Sequence, residues 1–185
     1  MAKKTNYTPW IIGGIALLLV LVLWSSYNGL VTADVAVDTA WGQVESVYQR
    51  RADLIPNLVE TVKGYQIHEQ ELLTSITEAR SRWQSAPSAA SAGQLDSALS
   101  RLIAVAENYP DLKANQNFLA LQDELAGTEN RISVERQRYN KAVGDYNIKT
   151  RRFPSNIVAS LFGFEKAREF FEADAGAESA PDVKF

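Results

Sequence analysis

Four charged residues lie at or beside positions that would face the apolar core of a helical protein. Arg51 and Glu69 interrupt a series of otherwise apolar residues that alternate at spacings of four and three. Glu129 and Arg136 fall on or beside the apolar stripe of a later segment. Because a buried charge is costly unless it is paired, we predict an internal polar network of these four residues, with Arg51 and Glu129 as a candidate pair. Such a network would select the helix register; the alternative is a buried switch or ligand site.

The chain offers little material for catalysis or metal binding. It has one His and no Cys among 185 residues. His68-Glu69 resembles the start of a zinc-protease helix, but that motif needs a second His where Leu72 stands. The sequence also lacks the glycine-flanked serine of a hydrolase and any glycine-rich phosphate loop. We therefore predict no catalytic residue, no cofactor, no metal site and no enzymatic activity.

Composition narrows the class of partner. Apolar residues make up 46% and charged residues 22%, which is typical of a folded globular chain. The net charge of -3 argues against a nucleic-acid partner, and nothing identifies a small-molecule substrate. Residues 131–152 are an exception, with seven Lys or Arg and two acidic residues. This stretch predicts a solvated helix face; the alternatives are an acidic patch on another subunit or phospholipid headgroups.

An apolar run near the N-terminus predicts a membrane anchor. The run extends without interruption from Trp10 to Trp24. With Tyr7 before it and Tyr27 after it, the aromatic rings that favour headgroup zones enclose residues 7–27, which is long enough to span a bilayer. A cleaved signal peptide is the alternative, although its candidate cleavage site at residues 31–33 lies unusually far from the apolar run.

The unequal distribution of basic residues on the two sides of this run predicts its orientation. Lys3 and Lys4 precede it, whereas no Lys or Arg follows before Arg50. The positive-inside rule then places residues 1–6 in the cytoplasm and residues 28–185 across the membrane, on its extracytoplasmic side. Within the run, Gly13-Gly14 indicates at most a point of close packing between helices.

The apolar spacing predicts long helices that cross at a shallow, left-handed angle. The pattern consists of Val37, Trp41, Val44, Tyr48, Arg51, Ile55, Leu58, Val62, Tyr65, Glu69, Leu72, Ile76, Ala79 and Trp83. It also extends backwards through Asp34, Leu30, Tyr27 and Leu23, so we expect the membrane helix to continue into the first soluble one. Pro56 should kink this helix; a break with Asp53 as the new N-cap is the alternative.

The rest of the chain predicts further helices joined by short connections. We expect a turn at 85–93, a helix of about 15 residues between Leu95 and Tyr109, a long helix at 113–150, a short one at 155–161 and another within 165–173. The predicted fold is all-α, an N-terminal transmembrane helix followed by an up-and-down four-helix bundle at residues 28–164. At Pro110 the chain could either reverse or continue in line. The Phe-containing segment 165–185 should pack on the bundle or dock a partner.

Several ordered motifs together resemble the LemA family. They include RRADLIPNLVETVKGY at residues 50–65, ENYPDLKA at 107–114 and TENRI at 128–132. LQDEL at 121–125 and the terminal APDVKF continue the pattern, and so do the two Tyr-Asn pairs at 139–140 and 146–147. The resemblance covers nearly the whole chain, including the anchor.

This resemblance implies a membrane-anchored four-helix bundle in bacteria and no established reaction. Genes of the family often lie near those of a membrane metalloprotease, and one relative belongs to the magnetosome system. We therefore expect a single-pass scaffold or organiser at the bacterial inner membrane. Its expected partners are the lipid bilayer, other copies of the chain in a homo-oligomer and a membrane protein. The alternative is an accessory or adaptor module for a membrane enzyme such as a metalloprotease.

Overall fold

A computed structural model describes residues 7–65 and 69–171 of the chain. All regular secondary structure in these ranges is helical, which confirms the all-α class for them. The helices are α1 (Thr8–Lys63), α2 (Gln70–Ser85), α3 (Ala89–Ala106), α4 (Pro110–Lys113), α5 (Gln116–Arg151) and α6 (Ser155–Phe162). Predictions for residues 1–6, for His68 and for residues 172–185 lie outside the described residues.

The anchor and the first heptad-patterned segment belong to one helix, as expected. α1 runs for 56 residues and contains Pro56. The alternative of a break with Asp53 as a new N-cap is therefore wrong. However, α1 ends at Lys63 and α2 begins at Gln70, so the apolar register fitted from Val37 to Trp83 crosses a real interruption.

The turn expected at residues 85–93 is shorter than predicted, because α3 begins at Ala89. Ser88 caps it: the Ser88 hydroxyl accepts the Ser91 N–H at 3.1 Å, and the Ser91 hydroxyl accepts the Ser88 N–H at 3.0 Å. This reciprocal capping satisfies two N–H groups that the first turn would leave unpaired. With that cap in place, the following Ala-rich residues are helical because Ala has high helix propensity.

The later boundaries differ from the prediction in two places. α5 starts three residues late, where the Asn115 carboxamide oxygen accepts the Phe118 N–H at 3.0 Å and caps the helix. The helix expected within 165–173 is wrong for its described part, since residues 164–171 are not helical. Gly163 ends α6 in the left-handed conformation with φ of 75°.

The chain divides into two compact units. Unit 1 contains the chain up to Ala40 together with Tyr139–Phe170, and unit 2 contains Trp41–Arg138 and the chain from Phe171 onward. α1 and α5 contribute residues to both units. The predicted domain boundaries, after residue 27 and after residue 164, stay predictions.

Unit 1 buries a small apolar core between three helices. Leu30, Ala33 and Val37 of α1, Val143 and Tyr146 of α5, and Val158 and Ala159 of α6 are buried there. Phe164 packs against both groups.

Unit 2 places α2 and α5 antiparallel to its part of α1. Trp83 meets Tyr48 with ring centroids 4.9 Å apart, whereas Arg80 donates to the Ala52 carbonyl at 2.9 Å. The N-terminal end of α5 lies near the C-terminal end of α1. The amide of Asn115, directly before α5, donates to the hydroxyl of Tyr65, two residues after α1, at 2.6 Å.

At the other end of this pairing, Arg136 of α5 donates to the hydroxyl of Tyr48. Arg136 also binds Asp96. Asp96 lies about two turns into α3, whereas Arg136 lies more than five turns into α5. The chain must reverse between these helices at the Pro110 boundary, rather than continue in line.

Candidate functional site

The most buried charged group lies in unit 2, where α1, α3 and α5 meet. Arg51 binds Asp96 at 2.6 Å through one guanidinium nitrogen and Glu129 at 2.5 Å through the other. Arg136 binds the second Asp96 oxygen at 2.6 Å. The Tyr48 hydroxyl donates to that same oxygen at 2.7 Å. We call these five residues the Asp96 cluster.

Burial dominates the electrostatics of this cluster. The Arg51 side chain is 8% exposed and the Asp96 side chain 16%, whereas that of Glu129 is 54% exposed. Burial raises the pKa of Asp96, and the neighbouring Arg51, Tyr48 and Arg136 groups lower it without cancelling that effect. Burial also raises the pKa of Tyr48, which keeps its hydroxyl a neutral donor at physiological pH.

Aromatic rings cover one side of the Asp96 cluster. The Arg136 guanidinium lies 4.4 Å from the centroid of the buried Phe171 ring. Phe171 in turn stacks on Tyr48 at 6.3 Å and on Trp41 at 6.2 Å. A cation over an aromatic face is stabilised by the ring quadrupole, and more so away from water. The rings thus restrict water access to one of the two arginines that neutralise Asp96.

The structure brings three of the four predicted network residues together. Arg51, Glu129 and Arg136 belong to the Asp96 cluster, and Arg51 and Glu129 are in direct contact. The core position predicted for Glu69 is wrong: this residue is exposed at the N-cap of α2. The register was extended to Glu69, which lies between the end of α1 and the start of α2, so helical periodicity does not apply to it.

Asp96, the centre of the cluster, was not predicted from the sequence. It is the only acidic residue of α3 and directly follows the buried Leu95. That single carboxylate beside a core residue was the available signal. Tyr48 was assigned to the apolar register, and its ring is indeed buried. Periodicity could not indicate that its hydroxyl also serves Asp96.

A second arginine-centred group lies in unit 1. The Arg168 guanidinium lies 2.8 Å from Asp34, 3.6 Å from Asp38 and 3.0 Å from Glu165. Burial lowers the pKa of Arg168, but the hydrogen bond and charge of Asp34, with Asp38 and Glu165, raise it further, so the net direction is up. We call these four residues the Arg168 cluster.

Side chains of α5 hold the backbone around Arg168. The Asn147 amide oxygen accepts the Arg168 N–H at 2.8 Å, and its nitrogen donates to the Arg168 carbonyl at 3.0 Å. Tyr146 donates to the Glu165 carbonyl at 2.9 Å, and Thr150 donates to the Lys166 carbonyl at 3.0 Å. These bonds satisfy backbone groups that a helix would otherwise pair internally, which explains why this stretch is not helical.

Of the four predicted anchor residues, Trp10, Trp24 and Tyr27 lie on α1 and Tyr7 directly precedes it, and all four are exposed. Trp10 is 82% exposed and Trp24 70%, and Tyr7 and Tyr27 are also accessible. Within the described residues, α1 is the one helix long and apolar enough to cross a membrane. The most apolar window of α1 has no buried residue, although length and composition alone would also suit a signal sequence. Tyr27 meets the Phe162 ring of α6 at 4.9 Å.

The charged groups of both clusters are engaged with one another rather than arranged around a reacting centre. In the described part of the chain, no set of three or more His, Asp or Glu side chains could hold a metal ion. An open cleft of about 590 Å³ in unit 2 contains Glu60, Tyr65 and Asn115. The Asp96 cluster can hold helices in one arrangement, and the Arg168 cluster can hold a non-helical segment against α1.

Comparison with known proteins identifies similar sequences. The model of the LemA family matches residues 40–185. Magnetosome proteins MamQ 1 and MamQ 2 of Paramagnetospirillum magneticum are each 26% identical over 187 aligned residues, covering 85% of this chain and 69% of their own length. Protein LemA of Metamycoplasma hominis is 27% identical over 137 residues, covering 71% of this chain and 63% of that protein.

Proposed function

This chain belongs to the LemA family, and on that premise we propose that it is a non-enzymatic, single-pass membrane protein that acts as an oligomeric scaffold. In this proposal residues 7–27 span the bacterial inner membrane with the N-terminus in the cytoplasm. The remainder is extracytoplasmic, with an up-and-down four-helix bundle formed by α2, α3 and parts of α1 and α5. The proposal goes beyond the names of the matched relatives, which describe magnetosome proteins and LemA but no reaction.

One observation carries the proposal. α1 is a single helix in which an exposed apolar segment passes without interruption into residues that form folded cores. Transfer of such a segment from water to lipid is favourable. A helix that continues from the anchor into the folded residues would keep those residues, and any molecules they bind, close to the membrane.

The absence of a reacting group also supports a scaffold. The Asp96 carboxylate, whose side chain is 16% exposed, is neutralised by two arginines and accepts a hydrogen bond from Tyr48. A general acid or base must reach a substrate proton. The cluster residues instead contact one another and the rings around them, which favours a structural role.

The oligomeric part of the proposal is tested by the mass of the full-length chain in mild detergent, measured by mass photometry over a dilution series. We expect a discrete assembly larger than one chain that resists dilution. A monomer that co-purifies in fixed proportion with a membrane metalloprotease would contradict the scaffold and support the adaptor alternative.

A glycine substitution locates the contact between subunits. In one chain, a Cβ added at Gly14 meets no atom within 4 Å, so Gly14→Val should leave the monomer intact. If the anchors pack together closely at this point, the variant should shift the assembly to smaller masses. Ala16→Val, two residues along the same exposed helix, is the matched control. An unchanged mass in both variants would assign the contact to residues outside the glycine pair.

A further inference from the structure

We propose that α6 and the end of α5 form a second membrane contact, which lies in the headgroup layer of a bilayer containing anionic lipid. The contact would be beside the point where α1 leaves the membrane. This inference rests on the proposed anchor, but it concerns different residues and is tested separately.

The first observation is an apolar surface that the described chain leaves uncovered. Phe153 is 74% exposed, and Ile157 and Leu161 of α6 are 54% and 73% exposed. Ile157 and Leu161 lie one turn apart and therefore share a face. On another side of this short helix, Val158 and Ala159 are buried against Leu30 of α1. α6 is thus apolar both where it packs and where it does not.

The second observation is the position of this surface along α1. Tyr27 marks the predicted end of the membrane span, and its ring meets those of Phe162 at 4.9 Å and Phe164 at 5.9 Å. Leu30, which α6 covers, lies three residues later, or about 4.5 Å farther along the axis. The exposed face is therefore level with the aromatic residues that would occupy the headgroup zone.

The third observation is charge. Residues 146–164 contain Lys149, Arg151 and Arg152 but no Asp or Glu. Lys149 donates to the Gly29 carbonyl of α1 at 3.2 Å, so this cation lies beside the end of the anchor. Arg151 and Arg152 are exposed. Exposed apolar residues next to Lys and Arg are the combination by which interfacial elements bind anionic membranes.

A second copy of the chain could also cover an apolar face. Yet the uncovered residues of α6 lie beside Tyr27, whose ring meets Phe162 at 4.9 Å and marks the predicted end of the membrane span. The bilayer is therefore the apolar phase that this position favours.

The experiment uses the full-length chain in vesicles and takes advantage of its lack of Cys. Ser160→Cys, on the exposed side of α6, receives a fluorophore that is quenched by a nitroxide on carbon 5 of phosphatidylcholine acyl chains. The vesicles contain phosphatidylcholine with phosphatidylglycerol. Tyr27→Cys reports on the anchor, and Thr39→Cys, exposed on α1 and 15 residues beyond Trp24, is the control outside the membrane.

We expect the labels at positions 160 and 27 to be quenched to similar extents and the label at 39 to be unaffected. If position 27 is quenched but 160 behaves like 39, the second contact is wrong while the anchor stands. If position 27 is not quenched either, the proposed anchor itself is wrong. If the label at 160 is shielded from water but unquenched by the nitroxide, and exposure returns on dilution with lipid, a second copy covers α6 and the inference is overturned.

The charge requirement is tested with matched double variants on the Ser160→Cys background. Arg151→Gln with Arg152→Gln should lower the ratio of bound to unbound α6 roughly 30-fold, if each cation contributes about 1 kcal/mol near an anionic surface. Arg101→Gln with Arg131→Gln, both exposed in unit 2, changes net charge equally and should leave quenching unchanged. Equal quenching in all variants, or no difference when phosphatidylglycerol is omitted, would overturn the role of anionic lipid.

Discussion

The Asp96 cluster of unit 2 and the Arg168 cluster of unit 1 both pair arginine with carboxylates, but the group at the centre is a carboxylate in the first and an arginine in the second. In the first, one buried carboxylate is shared by two arginines. In the second, one arginine, 31% exposed, is shared by three carboxylates that are 30% to 67% exposed. Water can replace a lost partner in the second cluster but hardly in the first.

This difference in exposure indicates how strongly the free energy of unfolding of each unit depends on its charged pairs. Removing one partner from a buried group leaves a charge that neither protein nor water compensates. Removing an exposed partner costs little because water and salt screen what remains. We therefore expect the Asp96 cluster to set the register of its helices and the Arg168 cluster to hold a local segment.

The largest expected effect is that of removing Arg51. Arg51→Met keeps most of the aliphatic volume but leaves Arg136 as the only arginine bound to Asp96. It should lower the free energy of unfolding by about 3 kcal/mol. Urea unfolding of the full chain in mild detergent, followed by circular dichroism, measures this. Arg50→Met is the matched control, since Arg50 pairs at 3.2 Å with Glu124 and both are about half exposed. Equal losses in the two variants would contradict the importance of burial.

A smaller effect is expected in unit 1. Arg168→Met should open the non-helical segment around it locally, at a cost of about 1.5 kcal/mol for its charged hydrogen bonds. Hydrogen exchange at the Arg168 amide, which is bonded to Asn147, should then become roughly tenfold faster. Added salt should speed exchange in the wild type but not in the variant. Lys166→Met is the control, and an effect spread over all of unit 1 would show that the cluster supports more than this segment.

Two double-mutant cycles compare the two carboxylates bound to Arg51. Glu129 is more than half exposed, so its coupling energy with Arg51 should be about 0.5 kcal/mol. Asp96 is mostly buried, and its coupling with the same arginine should lie near the upper part of the 0.5 to about 3 kcal/mol range for contacting residues. Complete additivity for Arg51 and Glu129 would remove that pair from the network. Equal couplings would show that exposure does not distinguish the partners.

The pH dependence of Asp96 is a finer test. Burial raises its pKa in the folded chain, so above about pH 4 the folded state still holds a proton that the unfolded state has released. Its contribution to stability is therefore complete below the ordinary aspartate pKa and is lost as pH rises through the raised one. As pH rises through this interval, the wild type should therefore lose unfolding free energy relative to the Asp96→Asn variant. Asp123→Asn, an exposed carboxylate on α5, should show no such trend, and the opposite slope would mean that the arginines outweigh burial.

Much of the fold could be predicted because it depends on local and periodic features. The apolar run, the spacing from Val37 to Val62 and the boundary at Pro110 all correspond to helical structure or its ends. Predictions were wrong where a side chain far along the chain overrides local preference. Residues 165–171 have a helical composition, yet Asn147, Tyr146 and Thr150 bind their backbone instead.

The candidate site could be predicted only in part for a related reason. Arg51, Glu129 and Arg136 were recognisable as charges on apolar faces, since periodicity identifies a face. Glu69 was misplaced because the same periodicity was carried across a helix end. Asp96 was missed because one carboxylate on a separate helix has no sequence pattern that connects it to Arg51, 45 residues earlier.

By itself, the sequence determined that this protein is helical, that its N-terminal helix is apolar enough to span a membrane, and that certain charges would need partners. These properties follow from residue type and spacing along one helix. Only the tertiary structure decided which partners they find, that the chain reverses between α3 and α5, and that α6 exposes apolar residues beside Tyr27. Those outcomes depend on contacts between residues far apart in sequence, which form only when whole helices have packed.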